Sequence, residues 1–149
     1  TDPDIIDYMI KYFLKKKKLD YLKNNYFADS KKRKIAVGLD ISVFELNKLK
    51  TVLNSKKNKI YNEFTTLYFY TKGKKYFNIE NIKLPSKYSI DNTFRLTIDT
   101  KKDFNFFKSL FKFVKNNNFK ISTIKSILNK ELNLKKINNN VIQFNPLND

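Results

Sequence analysis

The sequence predicts an α/β protein, a sheet with helices packed on its faces. Two observations carry this. Strand-like runs at 19–25, 35–44, 76–84 and 94–98 alternate with segments of helical spacing. Hydrophobic residues make up 41% of 149 positions, enough for one domain with one core.

The opening TDPDIIDYMIKYFLKKKK predicts a helix. Asp2 suits the cap, Pro3 the first helical position, and Asp4 complements the helix dipole. Ile5, Ile6, Met9, Ile10 and Phe13 fall at helical spacing and form its expected inner face. Lys15 to Lys18 follow at the C-terminal end, where positive charge is favourable, and read as a solvated helix end. LDYLKNN is a short strand, YFADSKKRK a polar loop, and IAVGLDISVF strand material broken by Gly38. FELNKLKTVL is helical, and IYNEFTTLYFYT is read as a helix ended by Gly73.

YFNIENIKL alternates as a strand does, and PSKYSIDNT is a loop. Phe94 to Ile98 is the next predicted strand. Thr100 and Asp103 then form a capping box with Asp in place of Glu. Phe104, Phe107, Leu110, Phe111 and Val114 are the expected apolar face of the following helix, which Asn116 to Asn118 stop. Ser122 is the expected cap of a last helix, Thr123 to Lys130, with Ile124, Ile127 and Leu128 inward. The remainder is read as an irregular tail, and no internal repeat is visible.

The composition excludes whole classes of chemistry. Cysteine and histidine are absent, which removes disulfides, thiol nucleophiles, Cys/His zinc sites and imidazole acid–base catalysis. Asp, Glu, Lys, Tyr, Ser and Thr remain, alone or with an oxygen-liganded metal such as magnesium. No apolar run approaches a membrane span and no signal-peptide pattern opens the chain, so a cytoplasmic protein without a membrane partner is expected. The chain begins at Thr1, with Met9 its first methionine, and reads as a piece of something longer.

The net charge of +17 invites a nucleic-acid reading. Only Arg33 and Arg95 are arginines, however, and arginine is the residue that grips phosphates and guanine in bidentate fashion. Lys, Asn, Ile, Phe and Tyr are over-used together, and all five share A/T-rich codons. Codon bias accounts for the charge without a polyanionic partner, so nucleic acid is not the expected ligand.

In an open α/β sheet, ligands gather at the carboxyl ends of strands. Asp99 stands at such an end, immediately before a helix. A carboxylate there suits a magnesium ion beside a nucleoside triphosphate. It equally stabilises the helix N-terminus by itself. Spacing alone leaves both readings open.

Four stretches occur in one order: GLDISVFELNKL (38–49), NEFTTLYFY (62–70), FRLTIDTKKDFNFFKSLFKF (94–113) and FKISTIKSILNKELNLKKIN (119–138). Together they resemble the later part of the CMP-sugar-forming cytidylyltransferases, closest to the spore-coat polysaccharide type and related to the CMP-sialate and CMP-Kdo synthetases. The opening TDPDIIDYMIKYF resembles the helix after that family's acidic nucleotide-site turn. The resemblance covers nearly the whole chain.

It implies the C-terminal portion of a Rossmann-like nucleotidyltransferase sheet with flanking helices, a single partial domain over 1–149. It implies transfer of CMP from CTP to a sugar, usually a sugar acid, with release of pyrophosphate for surface polysaccharide synthesis. Magnesium is the implied cofactor and a homodimer the implied assembly. Asp99 maps onto a magnesium ligand. Arg95, in the same motif, contacts phosphate or braces the strand, and Asp40 bonds sugar or backbone. Glu63 and Thr65 carry over as substrate-binding candidates.

The departures are specific. The family's N-terminal Gly-rich phosphate segment and first acidic metal ligand are not in this sequence. Ser42 stands where an acid is usual, and Phe64 and Leu67 where histidine and proline are. One metal ligand without a phosphate loop does not hold a nucleotide at catalytic geometry. The 149-residue chain is therefore expected to be inactive alone and, with an apolar sheet edge uncovered, prone to associate. Two other classes remain: a non-catalytic binding or dimerisation module of the same fold, and a lysine-rich nucleic-acid binder using Tyr and Phe as stacking platforms.

Overall fold

Helix α1 (Pro3–Leu14) starts where the sequence places it, because Asp2 accepts a hydrogen bond from the Asp4 amide at 3.0 Å and proline occupies the first turn. In this computed structural model, residues 2–24, 33–54, 60–64, 66–115 and 119–144 are described. The inner stripe of α1 is narrower than expected: Ile5, Met9 and Phe13 are buried, while Ile6 and Ile10 are 39% and 40% exposed. Lys15 to Lys18 are exposed, as a solvated helix end should be.

The sheet among the described residues has three short strands. β1 (Tyr21–Lys23) is central, paired antiparallel with β2 (Ser42–Phe44) and parallel with β3 (Ile79–Asn81). The register sets Leu22 beside Val43 and Glu80, and Tyr21 beside Phe44 and Ile79. Because side chains alternate, these rows face opposite sides. Leu22 lies in the main core with Ile5, Met9, Phe106, Leu110 and Leu128. Tyr21 lies in a second cluster with Val52 and Phe69. Tyr21 stacks on Phe69 with ring centroids 4.8 Å apart.

Helix α2 (Leu46–Asn54) and the short helix α4 (Leu67–Tyr70) carry residues to the second cluster, and the short helix α3 (Ile60–Glu63) sets Tyr61 edge-on against Tyr68 of α4. The single helix expected over 60–71 is thus broken in two. Gly73 falls inside a following 3₁₀ turn, Lys72–Lys75, rather than ending a helix. The aromatic and β-branched content of this stretch explains the break, since such residues lower helix propensity and here are recruited individually to the aromatic cluster.

The strand expected at Phe94–Ile98 reduces to one parallel bridge, Val37 with Arg95. Its far end projects, with Ile98 57% exposed. The bridge is close-fitting. Gly38 has φ +95°, and a Cβ there would sit 2.0 Å from the Leu96 carbonyl oxygen.

Helix α5 (Lys101–Phe111) opens with the expected Thr100–Asp103 capping box. Its inner face is nevertheless Asp103, Phe106 and Leu110, while Phe104 and Phe111 are 49% and 50% exposed. Burial of Asp103 at the first turn sets the rotation, and positions three and seven residues later follow it inward.

Helix α6 (Ile121–Lys130) starts earlier than expected. Lys120 occupies the cap position and Ser122 does not cap. The missing cap comes from across the molecule, where Asp2 accepts from the Ile121 amide at 2.7 Å. Ile124 and Leu128 point inward as expected, and Ile127 is partly buried. The expected tail is structured: a 3₁₀ helix, Leu132–Ile137, packs on α5 and buries Leu134.

Candidate functional site

Arg95 is buried, and three of its nitrogens are engaged. Nε donates to Asp103 Oδ1 at 2.9 Å, Nη2 to Asp99 Oδ2 at 2.5 Å, and Nη1 to Gln143 Oε1. Asn138, also buried, donates Nδ2 to Asp103 Oδ1 at 2.9 Å and to the Arg95 carbonyl at 3.1 Å. Asp103 Oδ2 accepts from the Asp99 and Thr100 amides at 3.2 and 3.0 Å. Burial pushes the Asp103 carboxyl up. The bonds from Arg95, Asn138, Thr100 and the Asp99 amide outweigh burial and hold it at about 2.

Asp99 is the outward arm of this cluster. Its side chain is 55% exposed, one oxygen facing Arg95 and the other 3.4 Å from the Thr97 hydroxyl. The structure therefore joins two sequence candidates, Asp99 and Arg95, in one ion pair. Asp103 and Asn138, which complete it, were legible only as a helix cap and as part of a tail.

Asp40 belongs to a neighbouring constellation. Arg33, buried, donates Nη2 to Asp40 Oδ2 at 2.5 Å and Nε to the Ile35 carbonyl at 3.1 Å. Buried Asn24 fixes the same turn, donating to the Leu39 carbonyl and accepting from the Ile41 amide, each at 2.9 Å. The Val37–Arg95 bridge ties this turn to the Arg95 segment. A cavity of about 250 Å³ lies alongside, walled by Gly38, Leu39, Leu96, Leu110, Phe111 and Phe119 among others.

Glu63 is exposed at the end of α3, and Thr65 lies outside the described residues. Among the described residues, no hydrogen bond or ion pair joins Glu63 to Asp99.

For a magnesium ion the cluster offers Asp99 alone. Asp103 is fully buried and committed to its four partners. Among the described residues no group of three or more His, Cys, Asp or Glu is placed to hold a metal. These residues do not by themselves fit a bound magnesium ion. What they form chemically is a half-exposed carboxylate aimed by a buried guanidinium. Also among the described residues, no helix is long and apolar enough to cross a membrane.

No family model matches the chain. It is 34% identical over 129 residues to the uncharacterized protein MJ1063 of Methanocaldococcus jannaschii, an alignment covering 85% of this chain and 51% of that protein. Its structure resembles that of a cytidylyltransferase from Leptospira borgpetersenii, with TM-score 0.75 and 24% identity, covering 95% of this chain and 55% of the other. The chain thus spans about half the length of each. A mixed sheet with helices on both faces, in the arrangement of that cytidylyltransferase, is the fold of this protein.

Proposed function

We propose that this chain is part of a cytidylyltransferase-like protein that joins CMP from CTP to a sugar or sugar acid and releases pyrophosphate. The observation that carries the reading is the fold match over 95% of the chain. The position of Asp99 supports it, at the end of a bridging segment and the start of α5, where α/β sheets present ligand-binding groups. Arg95, with three nitrogens engaged inside the protein, positions Asp99 rather than touching phosphate. Magnesium in this reading travels with the nucleotide's phosphates, which supply most of its oxygens. Asp40, Glu63 and Thr65 remain the substrate-side candidates.

The test has two stages. The reading frame upstream of Thr1 is expected to encode a Gly-rich segment with a basic residue and an acidic turn. The polypeptide so defined is expected to release pyrophosphate from CTP only when a sugar acceptor is present, whereas the 149-residue chain alone releases none. Asp99→Asn in the longer polypeptide is expected to lower turnover at least ~100-fold, the scale of losing one electrostatic contact in a transition state. Sugar-independent or absent release, with the upstream segment present, would sink the reading.

A second reading has its own support. With Asp99 paired to Arg95 and no acidic trio among the described residues, a non-catalytic module of the same fold is consistent with the geometry. In that case Asp99→Asn leaves binding and assembly intact.

A further inference from the structure

Helix α1 carries a second apolar row that the core does not use. Ile6, Ile10 and Leu14 stand four residues apart and are 39%, 40% and 74% exposed. They form one ridge, turned about a quarter circle from the buried Ile5, Met9 and Phe13. Asp7 and Lys11 flank this ridge, one position on from Ile6 and Ile10. Both are exposed and stand at the spacing of a helical ion pair. Neither makes a hydrogen bond or ion pair among the described residues. Charge is divided along the helix. Asp4 and Asp7 occupy its first half, while Lys11 and the lysines at 15–18 occupy its end. Asp4 is already paired to Lys120 at 3.2 Å and Lys16 to Glu80 at 3.4 Å. An apolar row beside unpaired opposite charges has the anatomy of a contact face, an apolar centre with a polar rim.

We propose that α1 pairs with α1 of a second copy of this chain, antiparallel, about a two-fold axis at Ile10. The division of charge selects this partner and this direction. A parallel pair brings the two lysine runs at 15–18 together, where like charges repel. An antiparallel pair sends them to opposite ends. With Ile10 on the axis, it meets Ile10 of the second copy, and Ile6 meets Leu14, because a two-fold contact is reciprocal. Ridges of four-residue spacing interlock in this way. Asp7 of each copy then lies within one turn of Lys11 of the other, on the same side of the contact, which gives two equivalent ion pairs. Exposed pairs of this kind add little strength and fix direction instead. Three apolar side chains per copy fall short of the ~800 Å² per partner that a stable interface buries. The dimer is therefore weak and concentration-dependent, and the net charge of +17 on each copy opposes it. The contact lies outside the Asp99 and Asp40 constellations and holds whether or not the chain transfers nucleotides.

The chain has no cysteine, so single cysteines can report the contact. The test is disulfide formation by the 149-residue chain under oxidised glutathione, with Ser126→Cys as the exposed control on another helix. Ile10→Cys is expected to form a covalent dimer at least ~10-fold faster than the control, since association raises the effective thiol concentration. Ile6→Cys and Leu14→Cys are each expected to be slow alone and fast when mixed. The direction of pairing is tested in the Ile10→Cys background. Asp7→Lys is expected to slow the reaction. Mixing Asp7→Lys with Lys11→Asp restores it, mainly as the mixed dimer, because each charge again meets its opposite. The native chain supplies a measurement that needs no variant. Dilution followed by amide NMR is expected to move the signals of α1. If Ile10→Cys is no faster than Ser126→Cys, if Ile6→Cys and Leu14→Cys alone match Ile10→Cys, or if dilution leaves α1 unmoved, the proposal is overturned.

Discussion

Asp103 shows how one side chain serves two levels of structure. Its Oδ2 closes the capping box of α5, while its Oδ1 anchors Arg95 and Asn138. A fully buried carboxylate is tolerated only because each oxygen is bonded and the neighbouring guanidinium balances its charge. Removing it leaves Arg95 buried with one acid fewer. Asp103→Ala is expected to destabilise the chain by about 3–5 kcal/mol, read from urea denaturation. The sign with pH follows from its depressed pKa of about 2. The stability it contributes is complete above the unfolded carboxyl value, ~3.9. It is lost as pH falls from there through about 2. A loss of stability between pH 4 and 2 that is as steep in Asp103→Asn as in the native chain would contradict this assignment.

Among the elements, α1 and α6 are coupled by a single residue. Asp2 caps α1 through the Asp4 amide and caps α6 through the Ile121 amide, 119 positions away. Its carboxylate is buried, so neither amide is readily satisfied by water once it is gone. A typical cap contributes about 1 kcal/mol, so Asp2→Ala is expected to cost about 2 kcal/mol, twice an ordinary cap. Asp2→Asn retains one acceptor oxygen and is expected to lose about half as much. Amide hydrogen exchange separates the two roles. Asp2→Ala should raise exchange at the first turns of both α1 and α6, and acceleration confined to α1 would remove the second cap.

The same scale explains α5. Its segment is amphipathic in more than one rotation, because Phe104, Phe106, Phe107, Leu110 and Phe111 nearly encircle it. Asp103 selects the rotation by going inward, and Phe104 and Phe111 are left half exposed. Phe111 instead meets Phe119 edge-on, with centroids 5.4 Å apart.

At the scale of the whole molecule, apolar surface and charge oppose each other. Ile6, Ile10 and Leu14 make an exposed stripe along α1, with Leu14 74% exposed, and Ile98, Phe104, Phe111 and Phe119 are each about half exposed. Against this stands a net charge of +17, which resists self-association at low ionic strength. Salt screens the repulsion and leaves apolar attraction in place. Light scattering after size exclusion is therefore expected to give a mass near 17.8 kDa at low salt and a larger one as salt rises. Ile6→Glu with Ile10→Glu should suppress the increase. A monomeric mass at every salt concentration would refute an apolar association surface. Binding to DNA or RNA would move oppositely, weakening with salt.

The sequence by itself determined what depends on neighbours within about one helical turn. The cap at Asp2, the Thr100–Asp103 box, the strands at Tyr21–Lys23, Ser42–Phe44 and Ile79–Asn81, and the inward Ile124 and Leu128 were all legible. Each rests on local hydrogen bonds or on a period of 2 or 3.6 residues. Only the tertiary structure decided the rest. The second cap from Asp2, the Asn138 bond to Asp103 across 35 positions, the Arg33–Asp40 pair and the reduction of 94–98 to one bridge join segments that no spacing relates. The same holds for Lys23. Its charge reads as surface along the chain, and only sheet register and the aromatic cover of Tyr70 make it a buried donor. Local pattern sets which face of an element is apolar, but a buried polar group acquires its partners only when distant segments are packed together.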